Sequence, residues 1–350
     1  MKGDGEKTVE GQVLLGEDLE IRPARLVIRG GRIARVEEMG HAPDLWILPA
    51  LFNAHTHLGD TVAMDLPLDG RLAEVVTPPH GLKHRILAAT PRETQVAAMR
   101  ASLRTMERGG TGGCADFREG GTSGVADLRE AARGLSLRTV ILGRDGGERA
   151  GDGIGISSAR DVADLERQVA ETRRAGKVVA FHAGERDPDD VGAALAFRPD
   201  LLVHCTHATG SQIRSIADAA IPVAICPRAN WRLGVTRDPD HPPVSRMVAC
   251  GCTLFLGTDN AMVTQPDLWR EMEFVATVYG LPPRQILSAA IAGAGLCGGT
   301  PFLAPDGPAR LVVVDPGRSS LTFTRDPVAT LVKRVSAGDV RETFLFSPRE

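Results

Sequence analysis

Two histidines separated by one residue, His55 and His57, follow a short apolar run that ends at Pro49. In an extended chain, side chains two residues apart point to the same face. Both imidazoles could therefore bind one metal ion from the end of a single strand. The same pair is equally consistent with two polar loop residues, so the prediction of a metal site depends on ligands supplied elsewhere.

Further residues of the types that bind metals stand at the ends of later apolar runs. His182, His204 and Asp259 each directly follow or closely follow such a run. In a parallel barrel, the side chains at the carboxyl ends of the strands converge on one site. Histidine and carboxylate ligands that leave room for a water molecule are typical of a catalytic metal site rather than a closed structural one.

Eight apolar runs, most of them followed by a helical stretch, lie between residues 46 and 304. This alternation predicts a parallel sheet, and eight repeats of this size predict an α/β fold of the (β/α)8 TIM barrel type. An open doubly wound sheet is the competing architecture. It is less favoured because no glycine-rich dinucleotide motif follows an early strand.

Both ends of the chain have a different pattern from the middle. Residues 24–38 contain two alternating runs joined by Gly30 and Gly31, which is typical of a β-hairpin. Residues 309–315 and 328–346 also read as short β runs. We therefore predict a small β-sandwich domain built from residues 1–45 and 305–350, beside a barrel of residues 46–304.

The composition excludes several classes of protein. The formal net charge of −3 provides no electrostatic basis for binding nucleic acid or an anionic membrane. No stretch reaches the roughly 20 apolar residues of a membrane helix, and the N-terminus has no apolar signal core. The six cysteines form no CxxC pair. We therefore expect a cytoplasmic protein with free thiols.

The set of motifs resembles the amidohydrolase superfamily, in particular its mononuclear branch of adenosine, cytosine, guanine and related aminohydrolases. Asn53-Ala-His-Thr-His57 resembles the metal motif of the first strand, and His182-Ala-Gly-Glu185 is similar to the third metal histidine with its glutamate. The other similar segments are His204-Cys-Thr-His207, Cys226-Pro-Arg-Ala-Asn230 and Gly257-Thr-Asp259. They occur in the family's order over residues 48–260.

The resemblance implies one divalent metal, with zinc expected first and iron or manganese as alternatives. Its ligands would be His55, His57, His182 and Asp259. Asp259 would also take the proton of the attacking water, and Glu185 would be the general acid. His204 would orient the metal-bound hydroxide or stabilise the developing charge. The expected reaction is deamination of an amino-substituted purine-like or pyrimidine-like heterocycle. Hydrolysis of a cyclic amide, removal of a ring chloride, or a metal-binding scaffold without catalysis remain open alternatives.

The segment from Gly59 to Thr90 is rich in proline and glycine, and a loop of this length inside a compact domain is usually functional or disordered. The family builds substrate contacts in this loop. Candidate contacts with a small-molecule substrate, from the loop and from two later strand ends, are His80, Lys83, His84, Arg118 and Asn230. Solvated loop residues or a salt-bridged rim would give the same pattern. For His207, a packing role is favoured over participation in the site, which stays open, as does a homodimer.

Overall fold

The computed structural model describes residues 6–65, 75 and 81–346. The strands in these ranges are β1 (Lys7–Leu15), β2 (Glu20–Arg29), β3 (Arg32–Glu38), β4 (Trp46–Pro49), β5 (Leu51–His57), β6 (Thr111–Arg118), β7 (Arg138–Gly143), β8 (Gly153–Ile156), β9 (Val178–Ala183), β10 (Leu201–His204), β11 (Val223–Ile225), β12 (Leu254–Leu256), β13 (Asp259–Asn260), β14 (Arg310–Val314) and β15 (Val340–Leu345).

The α-helices of the same ranges are α1 (Leu82–Ala89), α2 (Arg92–Arg108), α3 (Gly121–Ala132), α4 (Leu165–Arg174), α5 (Asp189–Leu195), α6 (Gly210–Asp218), α7 (Pro227–Arg232), α8 (Val244–Ala249), α9 (Leu268–Val278), α10 (Pro283–Ala292) and α11 (Pro327–Arg334). Short 3-10 turns connect several of them, including Leu58–Ala63 directly after β5.

Strands β5 to β13 form one parallel sheet that closes on itself. Each strand from β5 to β11 pairs with the next one along the chain, and β13 pairs with β5. Strands β12 and β13 are two parts of the eighth barrel strand, separated by Gly257 and Thr258. The backbone N–H of Gly257 still donates to Ile225 on one side, and that of Thr258 donates to His55 on the other. The predicted (β/α)8 barrel is confirmed.

The helices cover the outside of the barrel with amphipathic faces. In α4 the buried side chains are Leu165, Val169 and Thr172, at helical spacings of four and three residues. The charged residues of the other face, including Glu166, Arg167 and Arg173, are exposed to solvent. Burying a side chain such as Val169 contributes roughly 1.5–3 kcal/mol, so this stripe fixes the helix against the strands that carry the site.

The terminal segments of the chain share a separate six-stranded sheet with the order β15-β14-β4-β1-β2-β3. The predicted hairpin is present, with Arg29 opposite Arg32 and both intervening glycines at positive φ. A two-residue turn of this kind favours glycine because it requires positive φ at both positions. Strand β4 also pairs in this sheet and leads directly into β5. The exact domain boundaries stay a prediction.

One part of the predicted terminal sheet is wrong. Residues 328–346 were expected to form short β runs, but the first part of this segment is the helix α11. Asp326 accepts a hydrogen bond from the backbone N–H of Ala329 and so caps the helix. The buried residues Val328, Leu331 and Val332 have helical spacing, and α11 packs on α9 and α10. Tertiary packing therefore outweighs the β propensity of the valines.

All six cysteines lie in the described ranges, and none of them forms a disulfide. Among the described residues, no helix combines the length and the apolar character needed to cross a membrane.

Candidate active site

The five predicted metal-site residues lie together at the carboxyl ends of the barrel strands. His55 and His57 are on β5 and His182 is on β9, while His204 ends β10 and Asp259 begins β13. All five are at most 8% exposed. The barrel topology thus brings side chains from four strands, distant in sequence, to one buried point.

The ligand atoms of this cluster are spaced as a single metal ion requires. His182 Nε2 lies 3.2 Å from His55 Nε2 and 3.3 Å from His57 Nε2. Asp259 Oδ1 lies 3.2 Å from His55 Nε2 and 3.6 Å from His57 Nε2. Ligands at about 2.0–2.1 Å from one tetrahedral zinc ion are about 3.3–3.4 Å apart. Two overlapping groups, His55 with His57 and His182, and His55 with His204 and Asp259, could each hold an ion.

Neighbouring acceptors fix the tautomers of two of these histidines. The Nδ1–H of His182 donates to the carbonyl of Ile156 at 3.0 Å, and the Nδ1–H of His57 donates to Glu119 Oε1 at 3.1 Å. With the proton on Nδ1, the Nε2 atom of each neutral ring carries a lone pair. Two lone pairs therefore face each other across 3.3 Å. A cation between them satisfies both, so the donor set fits a bound metal.

Burial favours the neutral, metal-binding form of three histidines, His55, His57 and His182. It lowers the pKa of His55 to about 4, although Asp259 partly opposes this effect. It also lowers the pKa of His57 to about 3 and that of His182 well below its usual value. Burial alone would raise the pKa of Asp259, but the hydrogen bond with His55 and the facing His204 hold it below its usual range. These three neutral imidazoles therefore face an ionised carboxylate, that of Asp259.

The backbone is unusual at two strand ends of the site. His204 has φ of 72° and Asp259 has φ of 59°. Residues other than glycine adopt this left-handed region at an energetic cost, and such positions concentrate at functional sites. In this backbone conformation both side chains bring their ligand atoms close to that of His55.

Glu185 lies beside this cluster in a position suited to proton transfer. Its Oε1 atom is 3.9 Å from His204 Nε2, and its side chain is 20% exposed. Burial raises the pKa of Glu185, with His204 partly opposing the shift. Gly184, between His182 and Glu185, has positive φ, and a Cβ there would lie 2.6 Å from a methyl of Val191. Glycine is therefore required for the turn that presents Glu185 to the site.

The predicted substrate contacts are mostly engaged within the protein. Lys83 is 3% exposed and forms ion pairs with Asp60 and Glu119. Arg118 is also buried, and its guanidinium pairs with Glu119 at 2.8 Å. The side-chain amide of Asn230 donates to Thr206 Oγ1 at 2.8 Å. A role for these three residues in substrate binding stays a prediction.

Two candidate substrate contacts from the long loop remain, His80 and His84. His80 lies outside the described residues, and His84 is a partly exposed residue of α1. His207 does not join the cluster, and its ring centroid is 5.7 Å from that of His241.

The structure adds two charged residues that sequence reasoning missed, Asp60 and Arg144. Asp60 is fully buried one turn after the histidine pair. Arg144 directly follows β7, with its guanidinium 5.8 Å from the centroid of the Phe117 ring and 3.9 Å from Glu119. Its Nε and one terminal nitrogen are buried without a hydrogen-bond partner among the described residues. The sequence signal for Arg144 is its position directly after a strand, the same position that indicated the histidine and acidic site residues.

The barrel carries a buried histidine and aspartate cluster that could hold a metal ion at the carboxyl ends of its strands, the arrangement typical of TIM-barrel hydrolases. Residues 46–345 match the model of the amidohydrolase family. A protein of Methanothermobacter thermautotrophicus that carries the name aminohydrolase is 33% identical to this chain, and the alignment covers 94% of the chain and 95% of that protein. The chain therefore belongs to the amidohydrolase family and is a hydrolase acting on carbon–nitrogen bonds.

Two further comparisons concern activity and fold. A 5-methylthioadenosine/S-adenosylhomocysteine deaminase of Halobacterium salinarum is 28% identical, covering 94% of this chain and 86% of that protein. The crystal structure of atrazine chlorohydrolase from Arthrobacter aurescens TC1, complexed with zinc, superposes with a TM-score of 0.76 at 18% identity, covering 95% of this chain and 94% of that one. At 18% identity, the structural similarity to the chlorohydrolase establishes that the two chains share a fold.

Proposed function

We propose that this protein is a zinc-dependent deaminase that hydrolyses the exocyclic C–N bond of an amino-substituted, purine-like or pyrimidine-like heterocycle. The observation that carries the proposal is a half-buried acid, Glu185, whose Oε1 atom lies 3.9 Å from His204 Nε2, beside a cluster of metal-ligand type. A site for metal binding alone does not need such an acid. The full-length similarity to the Halobacterium deaminase supports the same assignment.

In this proposal His55, His57, His182 and Asp259 would hold the ion, which would supply a nucleophilic water at neutral pH. Asp259 accepts a proton from that water, since its histidine neighbours keep the carboxylate ionised. His204 orients the water through Nε2, the atom that faces Glu185.

Glu185 carries the proton that the substrate needs. Its raised pKa favours the protonated carboxyl, which donates to a ring nitrogen of the substrate and makes the adjacent carbon electrophilic. After water adds to this carbon, Glu185, now a carboxylate, takes the proton of the new hydroxyl group and passes it to the departing amino group, so that ammonia leaves as the carbonyl forms. The proton held by Asp259 then restores Glu185 through solvent. The net reaction consumes one water molecule, replaces the amino group of the ring by an oxygen and releases ammonia.

The proposal is tested by measuring ammonia release from a panel of aminopurines, aminopyrimidines and their nucleosides, including 5-methylthioadenosine, with zinc, iron(II) or manganese(II) added. Turnover of at least one member, together with zinc found by elemental analysis, is expected. Chloride release from a chlorinated triazine without ammonia release from the panel would favour the chlorohydrolase alternative. Absence of both activities and of bound metal would refute the enzymatic assignment.

A further inference from the structure

A group of buried charged residues lies directly behind the metal-ligand histidine His57. Glu119 follows β6, Lys83 is in the first turn of α1, and Asp60 is in the 3-10 turn after β5. The side chains of Lys83, Asp60 and Glu119 are 4%, 0% and 11% exposed. Three segments of the chain therefore meet at one desolvated point, where unpaired charges would be costly.

Glu119 is the centre of this group. Its Oε1 atom accepts from His57 Nδ1 at 3.1 Å and from Lys83 Nζ at 3.0 Å, while Oε2 accepts from Arg118 at 2.8 Å. Lys83 Nζ also donates to Asp60 Oδ2 at 2.8 Å. A single carboxylate thus fixes the ring of His57 and simultaneously anchors α1.

A second carboxylate fixes the backbone at the same place. Asp116 Oδ2 accepts from the backbone N–H of Leu58 at 2.7 Å and from Thr56 Oγ1 at 3.0 Å. Thr56 and Leu58 are the two chain neighbours of His57. Asp116 therefore holds the strand end, and the orientation of the ring is left to Glu119.

We propose that Glu119 is a positioning residue that directs His57 Nε2 toward the metal, and that Lys83 couples the docking of α1 to metal binding through this carboxylate. Outer hydrogen-bond partners of metal-ligand histidines set the tautomer and ring orientation, and their loss typically weakens metal binding 10–100-fold. Because Lys83 and His57 share one oxygen of Glu119, a change that loosens α1 also loosens the support of His57. By linkage, metal binding then stabilises α1 to the same extent.

The proposal predicts a specific pattern in zinc titrations of metal-free protein against a competing chelator. Glu119→Gln is expected to weaken zinc binding about 10–100-fold. Lys83→Met keeps the apolar part of the side chain but removes the charge, and it is expected to weaken zinc binding about tenfold. The double variant should bind no more weakly than Glu119→Gln alone, because Lys83 acts through Glu119. Additive losses in the double variant, or zinc binding by Glu119→Gln equal to that of the parent, would overturn the proposal.

The matched control is Glu271→Gln, which removes another buried carboxylate with a guanidinium partner. Glu271 Oε2 accepts from Arg228 Nε at 2.6 Å and lies on α9. This variant should lose thermal stability while binding zinc like the parent. A loss of zinc affinity equal to that of Glu119→Gln would show a general effect of buried-charge loss and would contradict positioning by Glu119.

Two further measurements separate positioning from stability. The visible absorption of the cobalt(II)-substituted protein should change in Glu119→Gln and not in Glu271→Gln, because only the former alters a ligand ring. Hydrogen exchange of residues 82–89 should slow when zinc is added to the parent, and this response should be lost in Glu119→Gln. If Glu119→Gln does not fold, unchanged zinc affinity and exchange in Lys83→Met would by themselves overturn the proposal.

This inference rests on the proposed zinc site, but the two can fail separately. A parent chain that binds no zinc contradicts both. A parent and a Glu119→Gln variant that bind zinc equally tightly contradict the positioning role alone.

Discussion

Asn53 and Thr258 exchange two hydrogen bonds across the line where the barrel closes. The side-chain amide of Asn53 donates to Thr258 Oγ1 at 2.7 Å, and the backbone N–H of Thr258 donates to Asn53 Oδ1 at 3.0 Å. Both residues are buried. The pair joins the first strand to the interrupted eighth strand, immediately before Asp259. It therefore sets the distance between the histidine pair and the aspartate.

Replacing Asn53 by leucine should destabilise the protein and weaken metal binding. The substitution keeps the side-chain size but removes both hydrogen bonds of the pair, so that the N–H of Thr258 retains only the carbonyl of His55 as its acceptor. The loss of two buried hydrogen bonds costs about 2 kcal/mol. Thr258→Val removes only the bond to the side-chain amide and should cost about 1 kcal/mol. Urea denaturation of the metal-free variants measures both values. Equal losses for the two substitutions would contradict the importance of the backbone bond.

Glu185→Gln should abolish most turnover while leaving the metal in place. The amide cannot supply the proton for the ring nitrogen, so the rate should fall about 10²–10⁴-fold. Zinc content by elemental analysis should equal that of the parent. Asp187→Asn, which alters an exposed acid paired with Arg160, is the control and should retain activity. A fully active Glu185→Gln variant would show that the acid is another residue.

The metal-free protein should lose stability as the pH falls below 7. The pKa of His55 is about 4 in the folded chain, against about 6.5 when it is exposed. Between these values the unfolded chain binds more protons, so the free energy of unfolding decreases as the pH falls. For His55 alone the total effect is roughly 3 kcal/mol by pH 4.

Urea midpoints at pH 7 and pH 5, measured after chelation, test this pH dependence. The variant His55→Gln should show a weaker dependence than the parent, since it lacks the titrating ring. An identical dependence in both proteins would exclude His55 as its source.

Adding zinc to the metal-free protein should raise its melting temperature. Binding to the folded state alone stabilises it by about 2.7 kcal/mol when free zinc is 100 times the dissociation constant. His182→Asn should lose this increase, because it removes a nitrogen that lies 3.2–3.3 Å from both other ligand rings. His241→Asn, at an exposed ring outside the cluster, should retain it. Calorimetry with and without zinc compares the three proteins.

The secondary-structure pattern was predictable wherever local signals agreed with the tertiary environment. The turn at Gly30 and Gly31 needs positive φ at both residues, so the sequence alone indicated the hairpin. The helix α11 was missed because its valines favour strands in isolation. Its cap at Asp326 and its apolar spacing were visible, but the packing against α9 and α10 decided the outcome.

The sequence by itself determined the type of site. His55 and His57 on one strand, with His182, His204 and Asp259 at later strand ends, indicate a barrel with a metal cluster, because strand alternation and residue chemistry are local properties. Only the tertiary structure decided which atoms face one another. Lys83, predicted as a loop contact, is buried against Asp60 and Glu119, and Glu119 supports His57 from a neighbouring strand. These contacts join residues 23 to 62 positions apart in the chain. They depend on how strands, turns and helices pack, which no local pattern records.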